Sequence, residues 1–383
     1  MIATSMWFSL KSTAGAVTFL TAFATTFAAT TGAQSWSLST RPTVVIGADA
    51  DTMAEFSTIA TAARLSSGEI SVTTVRPAEI RLFSASGAFL KRLARPGGGP
   101  GELGVLWWAG RASDSLLTYD FTQARITVFD VPNNRVSTIP FAPTGAPARM
   151  VVLGFLGAGR WLLGTAPGPF PTAHANGPYR DSTTVVVWYP EREGMPVLGT
   201  YPNFGLFAHN GPRGTSFAFD RLSANTSIVP VGAEVWVGIP EQDVVLVLDD
   251  AGRVVRRIPV PLERSSFDAS TISAERRRQL ALAKDADDSA RTAAMFDRDT
   301  RGQPTARFSR MFTGRDGNIW FEAFHPNRAA ATEYVAVNRQ GRVLGRMTGP
   351  PGVRFVDIGA DYALGIRTAA DDVETIVQYR INR

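Results

Sequence analysis

The 383-residue sequence contains no cysteine. Disulfide bonds, thiolate metal sites, a cysteine nucleophile and lipid attachment through an N-terminal cysteine are therefore excluded. Histidine is scarce: His174, His209 and His325 lie far apart and form neither an HxH nor an HExxH motif, which argues against a zinc centre. No GxSxG sequence is present, so nothing supports a serine hydrolase.

The chain also lacks a lysine- and arginine-rich tract. Its formal charge of +5 comes largely from scattered arginines, which predicts a solvated basic surface rather than a nucleic-acid-binding arm. Hydrophobic residues make up 44% and charged residues 19%, as in a folded globular protein. The 35 glycines and 24 prolines indicate many turns.

The N-terminal segment has the pattern of a targeting sequence. Lys11 is the one charged residue before an apolar stretch, residues 14–33, which is rich in alanine and threonine and ends before Gln34. We interpret residues 1–33 as a cleaved signal peptide. The alternative is a retained anchor, because the stretch approaches the roughly 20 residues that span a bilayer. We expect a monomeric periplasmic or extracellular protein without stable membrane insertion after cleavage.

One hairpin motif is written twice around a glycine-rich connector. IRLFSASGAFLKRLA (residues 80–94) and ITVFDVPNNRVSTIPF (residues 126–141) each consist of an alternating strand, a turn and a second alternating strand. The connector RPGGGPGEL (residues 95–103) is too rich in glycine and proline for helix or strand. Related hairpins recur at residues 185–201, 245–260 and 334–348. A repeated β unit is therefore predicted.

The last repeat is incomplete, because the chain ends at Arg383 where an outer strand is expected. Residues 37–48 form a lone strand pattern, and we predict that residues 42–46 pair with residues 376–379. Such pairing would close a ring and remove exposed sheet edges. The prediction is an all-β, six-bladed β-propeller over residues 34–383, closed by an N-terminal strand. A β-sandwich does not explain the recurrence.

The GGGPGE sequence at residues 97–102, with the blade endings FTGRDGNIWFEAF and YVAVNRQGRVLGRM, resembles exported bacterial six-bladed β-propellers of the NHL-repeat and TolB-like superfamily. The resemblance covers most of the chain after residue 33. It implies the fold far more than a function, because this scaffold hosts both binding proteins and enzymes.

Several residues are interpreted as structural. Trp161, Trp236 and Trp320 occupy matching places in the second strand of three repeats and are expected between adjacent sheets. Glu102 is expected to cap the connector turn. Residues 262–305 break the β pattern, and residues 273–296 are predicted to form a helix, with Ser273 as a possible N-cap. This insertion is either a surface decoration or a lid or partner helix.

The leading functional hypothesis is a non-catalytic ligand-binding or protein-interaction module. Inner strands are assigned to residues 54–60, 103–110, 148–155, 217–225, 306–312 and 353–361. Arginines on them predict a basic funnel for an anionic small molecule, glycan or peptide terminus, unless they pair with neighbouring acids instead. Trp107 and Trp108 would add a surface on which a sugar or an aromatic group of the ligand could stack. The predicted ligand-binding residues are Trp107, Trp108, Arg149, Arg221, Arg307, Arg310 and Arg354.

The alternative hypothesis is a metal-dependent hydrolase or lyase centred on the channel. It follows from the resemblance, because lactonases and amidating lyases of this fold place a metal in the central channel. The oxygen ligands available for calcium on the assigned inner strands are Glu55, Asp220, Asn225 and Asp357. The sequence offers no catalytic residue and no cofactor besides this calcium.

Overall fold

The described part of the chain is mostly β-strand, with two helices in a single insertion. The computed structural model describes residues 34–47, 55–56, 58–146, 148–168, 174–212, 214–264, 266, 269–298, 305–327, 329–369 and 373–383. The predicted signal peptide, residues 1–33, lies outside the described residues. No helix within these ranges is long and apolar enough to cross a membrane. The N-terminal strands are β1 (Gln34–Ser35), β2 (Ser37–Leu38) and β3 (Val44–Ile46).

The first two sheets contain the repeated hairpins of the sequence. Each is an antiparallel meander, and the first ends with a short parallel strand inside the glycine-rich connector. The prediction that residues 95–103 contain no strand was therefore wrong at both ends of the connector, where Arg95 and Pro96 pair with Glu102 and Leu103. The first sheet comprises β4 (Ile59–Arg64), β5 (Ile70–Val75), β6 (Ala78–Phe83), β7 (Phe89–Pro96) and β8 (Glu102–Leu103). The second comprises β9 (Leu106–Ala112), β10 (Ser115–Asp120), β11 (Arg125–Asp130) and β12 (Arg135–Pro140).

The third sheet is longer than the repeat predicts, because two of its strands extend into an additional hairpin. Residues 217–225 are therefore not an inner strand, and that prediction was wrong: they end the third sheet and lead into the fourth. The third sheet comprises β13 (Met150–Gly157), β14 (Arg160–Thr165), β15 (Gly177–Trp188), β16 (Val197–Gly211) and β17 (Gly214–Phe219). The fourth comprises β18 (Ser227–Val231), β19 (Glu234–Gly238), β20 (Val244–Leu248) and β21 (Val254–Pro259).

The insertion forms two helices, α1 (Ala269–Ala281) and α2 (Ala286–Asp297), rather than the single helix predicted over residues 273–296. The break has a local cause. The Asp285 carboxylate accepts a hydrogen bond from the Asp288 backbone N–H (2.8 Å), while the Asp288 carboxylate accepts one from the Lys284 N–H (3.1 Å). This reciprocal cap starts a new helix. Met295 and Phe296 of α2 are buried against the third sheet.

The last two sheets complete the series and receive the N-terminal strands. The fifth comprises β22 (Phe308–Thr313), β23 (Ile319–Ala323), β24 (Thr332–Val337) and β25 (Val343–Gly349). The sixth comprises β26 (Val353–Ile358), β27 (Tyr362–Thr368) and β28 (Glu374–Asn382).

The six sheets of the described chain are arranged around their first strands. β4 contacts β9, β9 contacts β13, β13 contacts β18, and β18 contacts β22; β26 contacts β4. Residues of all six first strands line one central cavity. Many small sheets placed in this way are consistent with a β-propeller.

The predicted N-terminal pairing is confirmed. β3 lies antiparallel to β28, with Ile46 opposite Ile376 and Val44 opposite Gln378. β2 also pairs with β28, and β1 pairs in parallel with β25 of the fifth sheet. Trp36, between β1 and β2, is buried with its ring 5.7 Å from that of Trp320. The N-terminal segment therefore joins the fifth and sixth sheets.

The three matching tryptophans are buried between sheets, as predicted. Trp161, Trp236 and Trp320 are at most 1% exposed. Trp236 of the fourth sheet packs with Phe308 and Phe321 of the fifth. Large rings on second strands therefore fill the space between neighbouring sheets.

The glycine-rich connector is held by Glu102, as predicted. Its carboxylate accepts a hydrogen bond from the Gly99 N–H (2.7 Å) and pairs with Arg95 (2.8 Å). Arg125 of β11 donates to the carbonyls of Gly99 and Glu102, both at 2.7 Å. These bonds fix the turn that leads from the first sheet to the second.

The pairing of β3 predicts a contrast between two adjacent residues. Ile46 is 1% exposed and Val45 is 38% exposed. We expect Ile46→Ala to lower the free energy of unfolding by about 2–5 kcal/mol, because it leaves a cavity between sheets. Val45→Ala should change it by less than about 0.5 kcal/mol. Urea unfolding of both variants measures this, and equal effects would contradict the buried face of β3.

A second contrast tests the intersheet tryptophans. Trp236→Ala should cost about 3–5 kcal/mol of unfolding free energy, because a fully buried ring is removed. Trp107, which is 41% exposed, is the control, and Trp107→Ala should cost clearly less. Thermal and urea unfolding measure the difference. A Trp236→Ala protein as stable as Trp107→Ala would show that this ring does not support the intersheet packing.

Candidate functional site

The main candidate site is the central cavity, whose volume is about 710 Å³. Because side chains alternate along a strand, each first strand contributes its cavity-facing residues to the wall. The polar part of the wall consists largely of hydroxyl groups, and the apolar part includes three aromatic rings. Prominent lining residues are Thr61, Ser71, Thr73, Trp108, Phe155, Phe312 and Thr313.

Among the described residues, Asp357 is the one acidic residue on the cavity wall. It lies in a β-bulge of β26, and its side chain is 3% exposed. The carboxylate accepts hydrogen bonds from Arg111 Nη2 (2.9 Å), the Arg64 backbone N–H (2.9 Å) and the Tyr362 hydroxyl (2.8 Å). Arg64 belongs to the first sheet and Arg111 to the second, so this carboxylate connects three sheets.

Tyr362 is held as a protonated donor to Asp357. Burial raises the pKa of Tyr362 well above its ordinary value, and the neighbouring Asp357 carboxylate raises this pKa further. The Arg64 guanidinium lies 4.7 Å from the centroid of the Tyr362 ring. At neutral pH the pair therefore serves as a fixed hydrogen-bonded support for the cavity wall.

The second arginine on the wall is also engaged. Arg315 Nη1 donates to the Arg64 carbonyl (2.9 Å), and Nη2 donates to Asp114 Oδ1 (2.8 Å). Burial opposes ionisation of Asp114, but hydrogen bonds from Ser66 and Arg315 outweigh it and lower its pKa. Arg111 and Arg315 each have an acidic partner, so the charges around the cavity are largely compensated.

None of the five arginines predicted to form a basic funnel lines this cavity. Arg149 lies exposed with its guanidinium carbon 3.6 Å from the centroid of the Phe121 ring. Arg307 pairs with Asp243 (2.7 Å) and donates to the Leu262 carbonyl (2.7 Å). Arg307 is therefore held by an acid and a carbonyl, and Arg149 by an aromatic ring, away from the central cavity.

The remaining predicted ligand-binding residues are distributed over several places. Trp108 lines the cavity, packed edge-to-face against Trp161 at 6.2 Å. Trp107 points elsewhere and stacks on Phe121 at 5.4 Å, because adjacent strand residues face opposite sides. Arg221 lines a groove beneath α1 and α2. Arg310 and Arg354 share a separate small recess between the fifth and sixth sheets.

The four candidate calcium ligands are not brought together. Asp220 pairs with Arg298 (2.8 Å), and Asn225 accepts a hydrogen bond from the Gly205 N–H (3.1 Å). Glu55 is exposed before β4, and Asp357 alone of the four lines the cavity. In the part of the chain that the structure describes, no group of three or more histidines or acidic residues is arranged to hold a metal.

Sequence reasoning missed Arg64, Arg111, Arg315 and Tyr362. A positional signal for three of them is present: Arg64 ends β4, Arg111 lies near the end of β9, and Arg315 follows β22. An arginine therefore recurs near the end of the first strand in three of the repeats. Tyr362 gives no comparable signal, because its partner Asp357 is placed by a bulge that the strand pattern does not reveal.

No protein-family model matches the chain, and no curated protein sequence matches it. Solved structures show a distant similarity. A DUF4221-family member from Bacteroides vulgatus is 10% identical, covering 92% of this chain and 98% of that one, with a TM-score of 0.47. The PQQ-bound aldose sugar dehydrogenase of Streptomyces coelicolor is 11% identical, covering 91% and 98%, with a TM-score of 0.43. The calcium-binding regucalcin of Agrobacterium tumefaciens is 11% identical, covering 91% and 96%, with a TM-score of 0.35. At these values the similarity assigns neither a family nor an activity.

The hydrogen bonds of Asp357 predict that replacing it destabilises the protein more than replacing the nearby Asp361. Asp357→Ala should lower the free energy of unfolding by about 3–5 kcal/mol, because it leaves Arg111 without its partner at a largely buried site. Asp361→Ala is the control: its side chain is 76% exposed, and its pair with Arg64 spans 3.7 Å. That variant should lose less than about 1 kcal/mol. Urea unfolding would contradict the role of Asp357 if the two losses were equal.

Proposed function

We propose that this protein is a non-catalytic ligand-binding β-propeller whose central cavity holds a small hydroxylated molecule, such as a saccharide. The observation that carries the proposal is the composition of the cavity wall: hydroxyls and aromatic rings, with Arg111 and Arg315 already paired to acids. The volume of about 710 Å³ lies in the usual range for small-molecule sites. Because acidic partners compensate the charges of these arginines, the cavity favours a neutral ligand over the anionic ligand expected from the sequence.

The chemistry of the wall supports this ligand class. Threonine and serine hydroxyls both donate and accept hydrogen bonds, and so do sugar hydroxyls. Trp108 offers a flat ring for the apolar face of a sugar, and its edge-to-face contact with Trp161 fixes its orientation. A buried site built to hydrogen-bond hydroxyls also discriminates against analogues that lack them.

The proposal includes the architecture: six blades, one per sheet, in a ring closed by β3. It is supported by the contacts between first strands and by the antiparallel pairing of β3 with β28. Membership of the NHL-repeat and TolB-like group rests on the GGGPGE motif at residues 97–102. Export to the periplasm or the extracellular space rests on the pattern of residues 1–33.

Calorimetric titration with glucose, galactose and glucuronate tests the ligand class. We expect saturable binding of a neutral sugar with little dependence on salt. Thr73→Val should weaken this binding by about three- to tenfold, because one hydrogen bond is worth roughly 0.5–1.5 kcal/mol. Thr138→Val on the exposed face of β12 is the matched control and should bind as the parent does. Binding restricted to glucuronate and weakened steeply by salt would contradict the proposal.

A further inference from the structure

A second, smaller recess lies between the first strands of the fifth and sixth sheets. Its volume is about 140 Å³, and it shares no lining residue with the central cavity. Two arginines, one glutamate and one histidine contribute to its wall. The lining residues are Ser309, Arg310, Glu322, Ala323, His325, Thr332, Val353 and Arg354.

Arg310 connects the two sheets that form the recess. Its Nε donates to Glu322 Oε2 (2.7 Å), and its Nη2 donates to the Phe355 carbonyl of the sixth sheet. The guanidinium carbon lies 4.6 Å from the centroid of the Phe312 ring. Arg310 is therefore a structural bridge between two sheets.

Arg354 differs from the arginines discussed so far. Within the described ranges its side chain makes no hydrogen bond and no ion pair, although it reaches solvent on the open side of the recess. Desolvation by the recess wall, together with repulsion from Arg310, lowers the pKa of Arg354 to about 10. The guanidinium stays charged at neutral pH, and a bound anion would offset the repulsion.

The charges of the recess define what would bind. Arg310 and Arg354 are positive and Glu322 is negative, and the Glu374 carboxylate of β28 lies near enough to interact with Arg354 as well. His325 Nδ1 lies 2.9 Å from the Asn327 carbonyl oxygen and 3.1 Å from the Asn327 backbone nitrogen, which holds the ring in place. Because the Glu322 and Glu374 carboxylates repel any anion, the recess suits a monovalent anion better than a phosphate dianion.

We propose that Arg354 binds the carboxylate of a small molecule in this recess. The guanidinium fork matches the two oxygens of a carboxylate, which gives the strongest type of hydrogen-bonded ion pair. The small volume accommodates the carboxylate end of a ligand rather than a whole ligand. The site is separate from the sugar site proposed for the central cavity and does not depend on it.

Acetate and inorganic phosphate are the probes, each titrated at constant ionic strength into full-length protein. Arginine side-chain NMR signals report the binding. We expect the Arg354 Nε–H signal to shift with saturating acetate and to respond less to phosphate. Arg354→Gln should weaken acetate binding about tenfold or more, because a charged hydrogen-bond partner is lost. Arg354→Lys should bind acetate with intermediate affinity. This second variant still tests the site if the glutamine variant does not fold.

Arg380→Gln is the matched control, because Arg380 is an exposed arginine on β28 of the same sheet. It should bind acetate as the parent does. Acetate binding that is unchanged in Arg354→Gln and Arg354→Lys, or an Arg354 signal that never shifts, would overturn the site. Tighter binding of phosphate than of acetate would overturn the carboxylate assignment. Galactose titration of Arg354→Gln distinguishes the two proposals, because the cavity should be unaffected by this substitution.

Discussion

The buried carboxylate of Asp357 is the interaction on which the centre of this protein depends. A charge this far from solvent is stable only when its hydrogen-bonding capacity is filled. Three donors fill it here, and two of them, the Arg64 N–H and Arg111, come from the first and second sheets. The third, Tyr362, comes from the strand next to Asp357 and remains protonated. One side chain thus fixes the position of three sheets at the cavity.

This arrangement decides where charge is available for binding. At the cavity, Arg111 and Arg315 are occupied by Asp357 and Asp114, so hydroxyls and rings remain for a ligand. At the smaller recess, Glu322 pairs with Arg310, whereas the Arg354 side chain makes no hydrogen bond or ion pair to any residue that the structure describes. We therefore propose different ligands for the two places, a neutral hydroxylated molecule for the cavity and a carboxylate for the recess.

The sequence predicts the β architecture well because strand patterns and turns are local signals. The hairpins at residues 80–94 and 126–141, the pairing of β3 with β28 and the intersheet tryptophans all follow from alternation and repetition. The division of the insertion into two helices is harder to predict from the sequence, because the break between the helices depends on side-chain hydrogen bonds at Asp285 and Asp288. The site is the least predictable part. A bulge at Asp357 and an additional hairpin before Asp220 change which residues face the centre, and neither leaves a pattern in the sequence.

The most direct measurement is a crystal structure of the protein soaked with galactose and acetate together. The account predicts galactose in the central cavity against Thr73 and Trp108, and acetate against Arg354 in the recess. The Asp357 bonds to Arg111 and Tyr362 should remain intact. The opposite result is a cavity that contains acetate and no sugar, with Arg111 bound to acetate instead of Asp357. That result would contradict the claim that the charges of the cavity are compensated.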